Sequence, residues 1–229
     1  GIKKWLKISP RNAITVLDTH DGIGIVDIGA GSLVGEEEGL IAPEVINDLV
    51  ESIHEKSQGK SRQATGAAAS NLDLYQVNCT FFDALGGNEH HYLLARLIQF
   101  FCPGIPQVYY VGFLAGENDM KLLEKTGVGR DINREYFSRD SLLEHLEKEV
   151  VKSLSQLIRF RNEHPAFEGE FELKESDHKR LNLRWEKDED FAELILDLET
   201  YTFELSFSSN NQTRVINNHF DFSLDSIRA

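Results

Sequence analysis

The chain has 229 residues, 41% hydrophobic and 27% charged, which is the balance of a globular protein with one large domain or two ordinary ones. Its 38 acidic residues against 24 basic ones give a net charge of −14, a surface that repels nucleic acid and anionic lipid and favours a small molecule or protein as partner. No apolar run approaches the roughly 20 residues of a membrane helix, and the opening Gly1-Ile2-Lys3-Lys4-Trp5-Leu6 lacks the apolar core of a signal peptide.

These absences predict a cytoplasmic chain in which Cys79 and Cys102 are reduced, packed thiols. Met120 is the single methionine and Gly1 stands where an initiator would, which suggests that the sequence is a piece of a longer one.

In chain order, Ala13-Ile14-Thr15-Val16-Leu17 predicts a buried strand that ends in a polar burst, Asp18-Thr19-His20-Asp21-Gly22. Residues 23 to 41 are Gly-rich and predict a loop. Pro43 then opens a helix with Val45, Ile46, Leu49, Val50 and Ile53 on one face and Gly59 near its end. The small, polar stretch from 59 to 71, continuing into Leu72-Asp73-Leu74-Tyr75-Gln76, predicts a long loop of the kind compact domains keep for function.

A helix from Glu89 to Phe101 follows, stopped by Pro103-Gly104, and Pro106 to Val111 predicts a second buried strand. One long helix is expected from Arg139 to Asn162. After Pro165 the apolar period falls from 3.6 to 2, at Leu181/Leu183/Trp185, Leu194/Leu196/Leu198 and Phe203/Leu205/Phe207, which predicts antiparallel strands with one wet face. A closed (β/α)₈ barrel needs eight parallel strands and about 250 residues, so the two parallel-type strands expected here could form only part of one.

Chemistry concentrates where the first strand ends. His20 can donate to a sugar hydroxyl, and the Asp21 carboxylate can oppose positive charge developing at an anomeric carbon. The stretch Leu17-Asp18-Thr19-His20-Asp21-Gly22 also fits a turn capped by its Asp with a His satisfied by backbone. The long loop carries carboxylate, phenol and amide side chains, and a plain surface loop is the competing reading to a functional one. Gly22-Ile23-Gly24 fails as a dinucleotide fingerprint because Asp27 stands where the third glycine belongs. His90 and His91 are adjacent on a helix and diverge by about 100°, which argues against a shared metal. No metal and no cofactor is expected.

The segments Trp5–Asp21, Ala67–Asn78, Gln99–Asp119 and Gly129–Arg134, above all Ala69-Ser70-Asn71-Leu72-Asp73-Leu74-Tyr75-Gln76 and Gly129-Arg130-Asp131-Ile132-Asn133-Arg134, resemble the sucrose phosphorylases of the α-amylase superfamily, glycoside hydrolase family 13. The resemblance implies an α/β fold: the last strands and helices of a (β/α)₈ barrel, a small insertion after strand seven, and an antiparallel β-sheet domain. Residues 1–22 with 87–166 would be barrel, 23–86 the insertion and 167–229 the sheet domain. Asp21 would be the transition-state stabiliser, with His20 and Arg130 binding the glucosyl ring. Asp73 and Gln76 would contact fructose, and Tyr75 would turn toward phosphate; for Arg130 a structural ion pair is the alternative. The implied partners are sucrose, inorganic phosphate, glucose 1-phosphate and fructose, with a homodimer left open.

Retaining glycosyl transfer needs a nucleophile and an acid/base carboxyl about 5 Å apart. The resemblance places both in earlier strands, and Arg180-Leu181-Asn182 carries an amide where the nucleophile would stand. This chain by itself is therefore expected to be inactive. Related activities toward sucrose 6′-phosphate or glucosylglycerol, or an inactive carbohydrate-binding relic, are the alternatives.

Overall fold

The computed structural model describes residues 2–25, 43–65, 76–218 and 221. In order they form α1 Ile2–Ile8, β1 Ile14–Val16, β2 Ile23–Gly24, α2 Pro43–Lys56, α3 Lys60–Thr65, β3 Gln76–Val77, α4 Phe81–Ala84 and α5 Glu89–Phe101. Then come β4 Ile105–Gln107, α6 Tyr110–Phe113, α7 Met120–Thr126, a 3₁₀ turn Gly129–Asn133, α8 Arg139–Leu146, α9 Glu149–Glu163 and a second 3₁₀ turn Pro165–Glu168. Strands β5 Glu170–Leu173, β6 Arg180–Lys187, β7 Asp190–Asp197, β8 Thr202–Ser209 and β9 Gln212–Ile216 complete the chain. Contacts group the residues into two compact units.

One unit comprises Ile2–Thr15, Leu93–Pro106 and the chain from Glu147 onward. Its centre is a five-stranded antiparallel meander, β5-β6-β7-β8-β9, in sequence order. The register Leu183↔Leu194↔Leu205 aligns three fully buried leucines across neighbouring strands. Such alignment follows from the period of two: every second residue points to one face, and a slip by one position would turn all the leucines into water. The stripe Val150, Leu154, Leu157 and Phe160 of α9 is also buried, each side chain contributing about 1.5–3 kcal/mol. Rings tile the gap: Phe160 meets Phe167 and Phe207 with centroids 5.4 and 4.9 Å apart. The Trp185 indole N–H donates to the Phe101 carbonyl at 2.9 Å.

The other unit comprises Val16–Tyr92 and Gln107–Leu146. Ile23, Ile25, Val50, Ile53, Val77, Cys79 and Ala84 form its core around the β2–β3 pair. Buried Asn118 joins the loops above: its Oδ1 accepts from Thr80 N–H at 2.8 Å, and its own N–H donates to Asp83 Oδ2 at 3.1 Å. Both cysteines are free and buried, and burial pushes each thiol up to about 12.

Several expectations need correction. β1 and β4 pair as a two-stranded sheet, yet Ile14, Val16 and Ile105 are exposed. Strands become buried on both faces only when layers cover both. The second strand ends at Gln107, and Tyr110 to Phe113, expected in part as strand, is a helical turn with Tyr109 as its extended N-cap. The stretch from 59 is not loop throughout, because α3 occupies Lys60–Thr65; residues 66–75 and 26–42 lie outside the described residues. Residues 23 and 24, expected in the loop, are strand β2.

The long helix is two. Lys148 takes an extended ψ of 135° and starts α9 afresh, while Lys152 reaches Glu147 at 3.1 Å and Glu149 at 3.2 Å across the break. Leu198 falls one residue past β7 and is exposed. The remaining alternating positions, together with α5, stand as expected.

Candidate functional site

Beyond β1 the backbone closes a tight turn. Thr19 and Gly22 exchange two backbone hydrogen bonds, both 3.1 Å, and Asp21 N–H donates to Thr19 Oγ1 at 3.2 Å. Gly22 has φ +104°, and a Cβ there would lie 2.4 Å from the Val77 carbonyl oxygen. Only glycine permits both the turn and the approach to β3. Asp18 is buried at the root of the turn, whereas His20 and Asp21 project from its tip.

The 3₁₀ turn Gly129–Asn133 and the residue after it latch onto this tip. Asn133 Nδ2 donates to the Thr19 carbonyl at 2.6 Å, and Arg134 Nε donates to the His20 carbonyl at 2.9 Å. The Tyr109 hydroxyl, pushed above its usual range by burial, donates to the Asn133 carbonyl at 3.1 Å. Gly129 is tightly confined, since a Cβ would stand 2.2 Å from the Ala64 carbonyl oxygen. Packing and backbone bonds thus fix both partners of the latch before any charge is counted.

On this frame Asp21 gathers three cationic or potentially cationic groups. Oδ1 accepts from Arg130 Nη1 at 2.9 Å and from Arg134 Nη2 at 3.0 Å, and Oδ2 faces His20 Nε2 at 3.2 Å. Asp131 lies 3.5 Å from Arg134 Nη1. The carboxylate is 27% exposed and His20 63%, so the cluster opens to solvent instead of sitting in the core. A carboxylate held by charge-assisted bonds at a strand end, beside an accessible imidazole, can bind hydroxyls and oppose a developing cation.

The structure therefore brings together His20, Asp21 and Arg130. Gln76 is exposed on β3 and registers with Gly24 of β2, the strand leaving the turn. Asp73 and Tyr75 lie outside the described residues. Arg134 was not singled out by sequence reasoning. Its signal was the spacing of four from Arg130 inside Gly129–Arg134, which looked like a family signature and not like a second ligand of the same carboxylate. Among the described residues, no group of three or more His, Cys, Asp or Glu side chains is arranged to hold a metal.

A sucrose phosphorylase of Agrobacterium vitis is 56% identical over 223 residues, 97% of this chain and 43% of the relative. One of Bifidobacterium adolescentis is 54% identical over 184 residues, 80% of this chain and 36% of the relative. The chain is homologous to the sucrose phosphorylases of glycoside hydrolase family 13, over their carboxy-terminal portion. It spans less than half the length of these curated relatives.

A solved structure, the sucrose 6F-phosphate phosphorylase of Thermoanaerobacter thermosaccharolyticum, superposes with a TM-score of 0.79 at 37% identity, covering 95% of this chain and 42% of the other. The mixed helix-and-strand fold with its five-stranded antiparallel sheet is thus similar to the carboxy-terminal region of a family 13 phosphorylase. No family model matches the chain.

Proposed function

We propose that this chain serves the phosphorolysis of sucrose, giving α-D-glucose 1-phosphate and D-fructose, as the carboxy-terminal part of a sucrose phosphorylase. The observation that carries the reading is the Asp21 cluster, a carboxylate fixed beside His20 and two arginines at a strand end. That cluster lies in a chain 56% identical to a sucrose phosphorylase. In this account β1 and β4 are the seventh and eighth strands of a (β/α)₈ barrel, an insertion follows the first of them, and the meander is a separate sheet domain.

The mechanism is a retaining double displacement. A nucleophile and an acid/base carboxyl, both outside this sequence, form and resolve a glucosyl-enzyme. Asp21 stabilises the oxocarbenium-like charge at both transition states, while His20 donates to a ring hydroxyl. Arg130 contacts the glucosyl ring from the open side of the cluster. Asp73 and Gln76 receive fructose and Tyr75 presents its hydroxyl to phosphate, so the same glucosyl-enzyme meets two acceptors in turn.

A relative acting on sucrose 6′-phosphate is the nearest enzymatic alternative. The acidic Asp73 would repel a phosphorylated acceptor, which favours plain fructose. The test is made on a full-length protein carrying this sequence, supplied with phosphate and, in separate reactions, sucrose, sucrose 6′-phosphate and glucosylglycerol. Phosphate-dependent glucose 1-phosphate should appear fastest from sucrose. A preference for either other donor would replace the assignment, and no product from any would leave the chain a carbohydrate-binding relic.

A further inference from the structure

Two arginines converge on one oxygen of Asp21, but they are held in different ways. Arg130 makes a single bond to Oδ1, at 2.9 Å, and its side chain is 54% exposed. Arg134 is 27% exposed and makes a forked contact: Nη2 to Asp21 Oδ1 at 3.0 Å, Nε to the His20 carbonyl at 2.9 Å, and Nη1 3.5 Å from Asp131. Its guanidinium therefore grips the side chain of one turn residue and the backbone of the other.

A carboxylate that opposes charge developing on a sugar carbon must present its own charge to that carbon. Two guanidinium ions on it cancel most of that charge. A sugar arriving there competes with them for the carboxylate. The exposed, singly bonded arginine exchanges readily with water or sugar hydroxyls, while the forked one is bound in a planar geometry that no single hydroxyl can replace.

We propose that Arg134 is the positioning residue of Asp21. It stays in place through the reaction, fixing the carboxylate rotamer and the His20–Asp21 peptide, and Arg130 releases Asp21 to meet the sugar. The proposal rests on the reading of Asp21 as the charge that opposes the oxocarbenium ion. It divides two chemically identical side chains by their attachment, and it predicts different kinetic signatures for them.

The experiment uses the full-length protein with Arg134→Ala, Arg134→Lys and Arg130→Ala, assayed with sucrose and with α-glucosyl fluoride. Arg134→Ala should lower kcat about tenfold to hundredfold on both donors with KM within about threefold, because positioning is lost while ground-state binding survives. Guanidinium ion at millimolar concentration should restore much of the rate, and equal sodium chloride should not. Arg130→Ala should act chiefly on KM.

Should Arg134→Ala fail to fold, Arg134→Lys carries the test: its one ammonium cannot reach carboxylate and carbonyl together, so kcat should still fall about fivefold or more at a KM within about threefold. An active wild type whose Arg134→Ala keeps its kcat, loses rate that guanidinium does not recover, or changes KM alone overturns the proposal. So does an Arg134→Lys with wild-type kcat, or an Arg130→Ala whose loss falls on kcat at unchanged KM. A wild type that turns over neither donor overturns the functional reading itself, and the proposal with it.

Discussion

The meander and the Asp21 turn are built by opposite means. The meander rests on many equivalent contacts: leucines at matched register, an apolar stripe on α9 and a tiling of rings, none of which decides the outcome singly. The turn rests on few and unlike contacts: Gly22 with its positive φ, two arginines and an asparagine bonded to residues 19 to 21, and a tyrosine that holds the asparagine's carbonyl. Apolar burial is additive and tolerant, because each side chain contributes by area. A charged constellation is neither, because each group has its own geometry to keep. Stability and activity should therefore be separable by mutation.

The largest effect on stability should come from the sheet unit. Phe160 is fully buried among Phe167, His164 and Phe207, and Phe160→Ala should cost about 3–5 kcal/mol of stability. In the full-length protein, chemical denaturation should show this loss while kcat per folded molecule stays near wild type. A matching fall in kcat would break the separation.

Gly22→Ala sharpens the comparison from the other side. The added methyl meets the Val77 carbonyl oxygen at 2.4 Å in a backbone conformation that costs about 1–3 kcal/mol for a non-glycine residue. It should lower stability by about that amount and also lower kcat, because the tip that carries Asp21 must move. Unchanged kcat with lowered stability would mean that the turn tolerates displacement.

The smallest expected effect belongs to the acceptor side. Tyr75→Phe keeps the ring and removes one donor, which should weaken phosphate use by about 1–2 kcal/mol, near tenfold in kcat/KM, and leave glucosyl-enzyme formation from glucosyl fluoride unaffected. Asp73→Ala should instead weaken sucrose use. If both changes slow glucosyl fluoride as much as they slow phosphorolysis, the acceptor assignment is wrong.

The sequence made the meander readable and left the latch obscure, for a physical reason. Leu181, Leu183 and Trp185 announce their strand because alternation is a local pattern with one cause. Helix α5 was likewise legible from end to end, its apolar stripe closed by Pro103-Gly104. The break at Lys148 carries no proline or glycine, so nothing local marks it. The exposure of Ile14 and Val16 depends on what covers a strand, which no five-residue pattern contains. His20 and Asp21 could be picked out by their place after a strand. That Arg130 and Arg134 meet Asp21 depends on contacts more than a hundred residues apart, and the family resemblance, not periodicity, pointed to Arg130. Arg134 went unread because an arginine at such spacing has many ordinary uses.

In the proposed function Asp21 supplies charge to the transition state and not merely structure to the turn. Asp21→Asn keeps the shape and the hydrogen-bonding oxygen but removes the charge. In the full-length protein, with α-glucosyl fluoride as donor and the thermal midpoint recorded alongside, kcat should fall by roughly 10² to 10⁴ while the midpoint moves little. Near wild-type turnover by a folded Asp21→Asn protein would contradict the account.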